Sequence, residues 1–296
     1  MRYLDVAHGL TRPVRSNVPP VAPDGVMTSW RRLFVSSALA ACLSLGEIAV
    51  PSPAMARTIG LDTPVSTLQA QEKTVENLFE AATPSVVYIT TFAERTDRLT
   101  MNAVEVPVGT GSGFVWDRQG HIVTNWHVIK GAQGAKVVLT GRDGQTSSYD
   151  ARLVGFNPDK DVAVLKIDAG VELTPIRVGE SAPLRVGQTA LAIGNPFGLD
   201  HTLTVGVVSG LGREVQSPTG RPITGVLQTD AAINPGNSGG ALLDSSGNLI
   251  GMNTAIYSPS GASAGIGFAL PVDTLKYQVD TLIRVGKVTP SLARQL

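Results

Sequence analysis

The chain has 296 residues, with 24 Lys and Arg against 24 Asp and Glu, 43% hydrophobic residues and 16% charged ones. It is too apolar for a disordered chain and too evenly charged to single out nucleic acid as a partner. One cysteine, Cys42, excludes an intramolecular disulfide framework and a Cys-based zinc site, no P-loop pattern supports ATP-driven chemistry, and no window reaches the roughly 18 uninterrupted apolar residues of a membrane-spanning helix.

Residues 1–32 carry five arginines against Asp5 and Asp24, a net charge of +3, and four prolines. An apolar stretch, Leu33 to Leu45, follows and is closed by Gly46 and Glu47; Pro51-Ser52-Pro53-Ala54-Met55-Ala56 comes next. A basic region, a short apolar region and an A-x-A site together read as a cleavable export signal. Arg31-Arg32-Leu33-Phe34 has the R-R-x-F form of a twin-arginine signal. A buried core helix over 33–45 is the alternative, and Gly46, Pro51 and Pro53 oppose it. The residues ahead of the signal suggest a bipartite address, a transit segment and then export to the thylakoid lumen of a plastid. A start at Met27 would instead make the chain a bacterial periplasmic protein. Cleavage after Ala56 leaves 240 residues with a charge of −2 and no thiol.

Gln69 to Ala82 has helical spacing, with Val75, Leu78, Phe79 and Ala82 on one face and Pro84 as a stop. Short apolar runs then recur: Val86 to Ile89, Gly113 to Trp116, Val137 to Leu139, Val162 to Leu165, Leu191 to Ile193, Val205 to Val208, Ala241 to Leu243 and Ile266 to Leu270. Turn signals separate them, among them Arg142-Asp143-Gly144, Asn157-Pro158-Asp159 and Asp244-Ser245-Ser246-Gly247. Regular short strands without intervening helices predict an all-β sandwich or barrels and oppose a βαβ sheet. A last helix begins near Asp273, carries Leu275, Val279, Leu282 and Ile283 at helical spacing, and ends at Gly286. The strand-bearing stretch is longer than one small barrel needs, so two are expected. The predicted organisation is a targeting segment at 1–56, an arm and helix at 57–83, a first barrel at 84–175, a second barrel with the terminal helix at 176–286, and a tail at 287–296.

Ser238 lies between glycines in Asn234-Pro235-Gly236-Asn237-Ser238-Gly239-Gly240. Glycines there let the backbone reach positive φ, let a substrate carbonyl come close, and leave N–H groups to bind a developing oxyanion. The segment also fits G-x-S-x-G, the nucleophile elbow of α/β-hydrolases, but that fold needs its histidine after the serine and the last histidine here is His201. A subtilisin-like order could use Asp117, yet the strand-only pattern does not suit that fold. A serine needs a general base. His121 follows a turn and reads as a solvated strand-start residue, and His201 lies in a polar loop. His127 sits within the apolar run from Ile122 to Ile129 and is the better base. An acid must orient its imidazole. Asp161, directly before Val162 to Leu165, can sit partly dry at a barrel rim; Asp200, beside His201, is the alternative. The order His127, Asp161, Ser238 is that of chymotrypsin, with base and acid on one barrel and serine on the other.

Gly109-Thr110-Gly111-Ser112-Gly113-Phe114, Thr124-Asn125-Trp126-His127-Val128, Asp161-Val162-Ala163-Val164-Leu165, Ile193-Gly194-Asn195-Pro196-Phe197-Gly198 and the segment from Gln228 to Gly240 resemble the HtrA/DegP family of serine endopeptidases. The similarity runs over roughly 70–285 and is greatest to Deg proteases of the chloroplast lumen. Many relatives have Tyr where this chain has Trp126. The resemblance implies a chymotrypsin-like double β-barrel and ATP-independent cleavage of damaged or unfolded polypeptides, without cofactor or metal. It also implies a homotrimer or higher oligomer and leaves room for peripheral membrane contact. By position His127 is then the base, Asp161 its partner and Ser238 the nucleophile, with an oxyanion hole at Gly236 and Ser238 and Asn237 between them. Ala232, followed by Ile233 and Asn234, falls where trypsin-like enzymes carry an S1 acid, so small or medium apolar P1 residues are expected. Asn253, Thr254 and Ala255 resemble the strand that pairs with substrate backbone. Most family members carry PDZ domains after the protease domain, whereas only Lys287 to Leu296 follow here, as in a PDZ-less member or a truncated gene model. A holdase or a latent partner subunit of a mixed assembly is the alternative function.

Overall fold

The computed structural model describes residues 69–96, 103–198, 200–234, 236–254 and 265–286. The predicted targeting segment, the start of the arm, Ala255 and the tail lie outside them. Helix α1 (Ala70–Ala82) leads through a 3-10 turn (Thr83–Ser85) into β1 (Val86–Thr96), β2 (Ala103–Val115) and β3 (His121–Thr124). A one-turn helix, α2 (Trp126–Ile129), precedes β4 (Gly134–Thr140), β5 (Thr146–Asn157) and β6 (Val162–Ile167). The second half contains β7 (Thr189–Gly194), β8 (Thr202–Gln216), β9 (Pro222–Thr229), β10 (Ala241–Leu243), β11 (Leu249–Thr254), β12 (Gly267–Pro271) and α3 (Val272–Val285).

The strands form two closed antiparallel barrels of six, in the orders β1-β2-β3-β6-β5-β4 and β10-β11-β12-β9-β8-β7. Pairing of Tyr88 with Val138 closes the first, and pairing of Ala241 with Ile193 closes the second. Closure leaves no whole strand at a sheet edge, although strand ends run past their neighbours, as Thr254 of β11 runs past β10. Val87, Ile89, Ile122, Leu165 and Ile167 fill the first barrel; Ala190, Ala192, Leu227, Leu242 and Ile250 fill the second. A third apolar layer contains Val86, Phe114, Val164, Ile193, Leu275 and Leu282 and joins strands of both barrels to α3. Helix α3 contacts β5 and β6 of one barrel and β11 and β12 of the other. Its buried Leu275, Val279 and Leu282 recur every three or four residues, which brings them onto one face. Val75, Leu78 and Phe79 of α1 are half-buried against the same layer.

The segment between the barrels is fastened to the start of α3. Asp273 Oδ2 accepts hydrogen bonds from Ser181 N, Ser181 Oγ and Ala182 N, each at 2.9 Å, and Lys276 Nζ lies 3.0 Å from Oδ1. Partial burial opposes ionisation of this carboxyl, but the bonds from Lys276, Ser181 and Ala182 together prevail and lower its pKa to about 2. A depressed carboxyl pKa stabilises the fold above the ordinary value of 3.8, and that stability is lost as pH falls through 2. The side chain is 39% exposed, so solvent screens much of the effect. Asp273→Asn is expected to destabilise the protein by about 1 kcal/mol at neutral pH and by much less near pH 2. Denaturant unfolding of both proteins at the two pH values checks this.

Candidate active site

Strand β3 ends at Thr124, and the chain turns at Asn125 into α2, which carries His127. Within the apolar run that holds this histidine the chain leaves the strand and makes one helical turn. His127 Nδ1 lies 2.8 Å from Asp161 Oδ2, and His127 N donates to Asp161 Oδ1 at 2.9 Å. One carboxylate therefore holds both the ring and the backbone of the same residue. Asp161 is 1% exposed, while the imidazole is 30% exposed. Against an ionised carboxylate, which only accepts, a neutral imidazole carries its proton on Nδ1 and its lone pair on Nε2.

Asp161 has φ +55°, the sole positive value outside glycine among the described residues. Asp tolerates this left-handed region better than most side chains. Its carbonyl accepts from Trp126 N at 3.2 Å and from Asn125 Nδ2 at 3.0 Å, so both ends of the residue engage the start of α2. The turn before it is tied down from several sides. Asn157 Oδ1 accepts from Asp159 N and Lys160 N, and Asn157 Nδ2 donates to Gln278 Oε1 of α3. Thr219 Oγ1 and Arg221 Nη1, from the β8–β9 hairpin of the other barrel, donate to Asp159 at 3.0 and 2.6 Å.

Ser238 lies in the turn before β10 and is buried. Gly236 has φ +102° and Gly239 φ +83°; a side chain on Gly236 would strike Pro196, and one on Gly239 would strike Ser112 O and Thr124 Oγ1. Strand β2 of the first barrel lies against this turn. Ser112 N donates to Ser238 O at 2.9 Å. Gly111 separates Ser238 from the histidine's neighbour: a Cβ there would meet the Val128 side chain at 2.7 Å and Ser238 O at 3.3 Å. Asn237 N donates to Asn234 O, whereas Gly236 N donates to no other described residue.

The other predicted positions divide. Ala232 is half-buried and its carbonyl accepts from Thr204 Oγ1; Ile233 packs into the core of the second barrel; Asn234 is exposed. The side chain of Asn253 is wholly buried. Its Nδ2 donates to Ala241 O at 3.0 Å, and its backbone bonds Gly239 and Gly240. It braces the serine loop from behind. Thr254 Oγ1 lies between Met252 O and Asn125 Nδ2 and is also buried. His121 starts β3 as predicted, but its Nδ1 sits 2.6 Å from Asp117 Oδ2 and is not simply solvated. Asp200, the alternative acid, is exposed beside His201. No group of three or more His, Cys, Asp or Glu among the described residues is placed to hold a metal ion.

Two antiparallel barrels, with a His–Asp pair on one and a glycine-framed serine on the other, define the class of trypsin-like serine peptidases. The family model for a trypsin-like peptidase domain matches residues 111–252. Over 224 residues the chain is 64% identical to Protease Do-like 1, chloroplastic, and 51% identical to Protease Do-like 5, chloroplastic, both from Arabidopsis thaliana. These alignments take in 75% and 71% of this chain, and 50% and 69% of the two relatives. The chain thus spans half the length of the first. The crystal structure of Deg5 superposes with a TM-score of 0.63 at 48% identity, covering 75% of this chain and 99% of that one. The chain belongs to the Deg/HtrA family of trypsin-like serine proteases.

His201 stands outside the His–Asp pair but touches both barrels. It precedes β8 in the second, and its Nε2 lies 2.8 Å from Val86 O in the first. Burial pushes this imidazole below its ordinary pKa of 6.5, against the smaller opposing pull of the Val86 carbonyl and Asp200. The unfolded chain therefore binds this proton more readily than the folded one. The stability His201 contributes is complete above pH 6.5 and declines as pH falls below it. Thermal unfolding from pH 8 to 5 should show a steeper loss for the wild type than for His201→Gln.

Proposed function

We propose that the chain is a serine endopeptidase that cleaves damaged or unfolded polypeptides without ATP. The observation that carries this reading is the doubly held His127, with its Nε2 lone pair left for a serine proton. Ser238 Oγ attacks the scissile carbonyl while His127 Nε2 takes its proton, and buried Asp161 stabilises the resulting imidazolium. Charge develops on the former carbonyl oxygen, which the N–H groups of Gly236 and Ser238 receive. The tetrahedral adduct collapses, His127 returns the proton to the leaving amine, and an acyl group remains on Ser238. Water activated by the same imidazole then releases it.

Ala232 brings no carboxylate to the expected S1 region, which favours small or medium apolar side chains at P1. Strand addition at the end of β11, where Thr254 runs past the pairing with β10, would accept extended peptides of many sequences. The two Arabidopsis relatives are named chloroplastic, which together with the bipartite address supports a plastid location and, more finely, the thylakoid lumen. Relatives named as periplasmic DegP-like endoproteases support the bacterial alternative. The family resemblance supports a homotrimer or larger assembly.

Casein degradation and labelling by a fluorophosphonate probe test the chemistry on the full chain. Ser238→Ala should lose turnover by several orders of magnitude and take no label. Asp161→Asn keeps a residue that tolerates positive φ but spoils the imidazole tautomer; by analogy with the handicap that this change causes in trypsin, a fall of about 10⁴ in kcat is expected. Wild type and Ser238→Ala degrading casein equally would overturn the proposal, and an unlabelled wild type would favour the holdase or latent-subunit reading.

A further inference from the structure

Ser112 lies in β2 of the first barrel, is fully buried, and carries no part of the acid–base chemistry. Every polar atom it has is engaged at the join between the barrels. Its Oγ donates to Gly236 O at 2.5 Å and accepts from Asn195 N at 2.8 Å. Its N–H donates to Ser238 O at 2.9 Å, and its carbonyl accepts from Thr124 Oγ1 at 2.7 Å. A hydroxyl has one proton, so donating to one partner and accepting from the other uses it without conflict.

Two of these bonds reach the carbonyls of Gly236 and Ser238, the residues whose N–H groups would form the oxyanion hole. Gly236 is the weak point of that pair. It has no side chain, sits at φ +102°, and its N–H makes no bond to any other described residue. A glycine so placed can turn its peptide at little steric expense. The bond from Ser112 Oγ fixes the peptide plane on the far side of the Gly236 α-carbon. The same hydroxyl takes up Asn195 N, next to Pro196, against which Gly236 is packed. Side-chain hydroxyl and backbone N–H of one residue thus clamp both halves of the Gly236–Ser238 turn.

We infer that Ser112 is a positioning residue for the oxyanion hole: its hydroxyl, supplied by the opposite barrel, holds Gly236 with its N–H presented to the developing anion. This rests on the peptidase reading above and adds to it a residue that never touches substrate. An oxyanion donor acts on the transition state far more than on the bound ground state. Misdirecting Gly236 N–H should therefore lower kcat and leave KM nearly unchanged. Loss of one such donor lowers turnover by about 10²–10³, which sets the upper limit for an indirect effect.

The test uses the full chain with Ser112→Ala and Ser112→Cys, the second of which fills the site with a somewhat larger group that donates poorly. Peptide hydrolysis gives kcat and KM, binding of a peptide boronate reports affinity for a tetrahedral adduct, and thermal unfolding checks that each variant is folded. The expected result is a fall in kcat of about tenfold to a hundredfold in both variants, with an equal loss of boronate affinity and KM within about twofold. Should Ser112→Ala unfold, Ser112→Cys decides. An active wild type matched by a folded variant in kcat and boronate affinity would overturn the role of Ser112 alone. A rise in KM with kcat unchanged would do the same, pointing to a packing role. A wild type that neither hydrolyses peptide nor binds boronate would overturn the peptidase reading, and this inference with it.

Discussion

The carboxylate of Asp161 is the constraint on which the site depends. It is 1% exposed, yet it must present two oxygens to His127 at 2.8 and 2.9 Å. Holding it there requires a left-handed backbone, which costs roughly 1–2 kcal/mol for an ordinary residue and less for Asp. A hydrogen bond to a charged group contributes about 1.5–3 kcal/mol. The two bonds to His127 outweigh the strain, so the geometry is self-consistent only while both partners are present. That is why the pair is better regarded as one unit than as a base with an attached acid.

The turn that carries Asp161 belongs to the first barrel but is steadied from outside it. Thr219 and Arg221 reach it from the second barrel, and Gln278 reaches it from α3. The serine turn shows the converse arrangement, since Ser112 and Thr124 of the first barrel line it. Such loops cannot draw their hydrogen bonds from a ladder, and their buried polar groups need partners from side chains. Asn125, Asn157 and Asn253 meet part of that need with amide N–H groups that donate, and Asn157 Oδ1 also accepts.

These facts also mark what the amino-acid pattern could reveal. The runs at Val86, Val162, Leu191 and Ala241 were legible as strands because both faces of each are covered. Val87 points into a barrel and Val86 into the layer between barrels; Leu242 and Leu243 divide the same way. Strand β5 has no comparable run: most of it, from Thr146 to Leu153, is exposed or half-exposed, so the pattern lacks an apolar signal. Strand β9 begins with Pro222 and contains Gly225, both of which read as breaks. Helix α2 has four residues, too few for any 3.6 period to register. Glycines around Ser238 and the order of histidine, aspartate and serine singled out three candidates, because those types have few alternatives, and the structure pairs two of them, His127 and Asp161. The roles of Ser112 and Asn253 stayed hidden. Serine and asparagine occur for many reasons, and only the close approach of β2 and β11 to one turn gives these two their partners.

Reciprocal bracing has a consequence for how the barrels relate to the chemistry. Each barrel is closed and has its own core, so each could keep its internal geometry if the two shifted slightly against one another. The distance between the imidazole and the serine could not, because those groups stand on opposite sides of the join. Misplacement by about 1 Å can cost a hundredfold in rate. The shared apolar layer resists such a shift only without direction, since apolar contact is tolerant of sliding. Directed bonds are needed to fix the offset, and they are found on both sides of the join: at Asp159, between Asn125 and Thr254, and around Ser112. Packing thus brings the barrels together, whereas the polar contacts across the join set the register between the His127–Asp161 pair and the turn that carries Ser238.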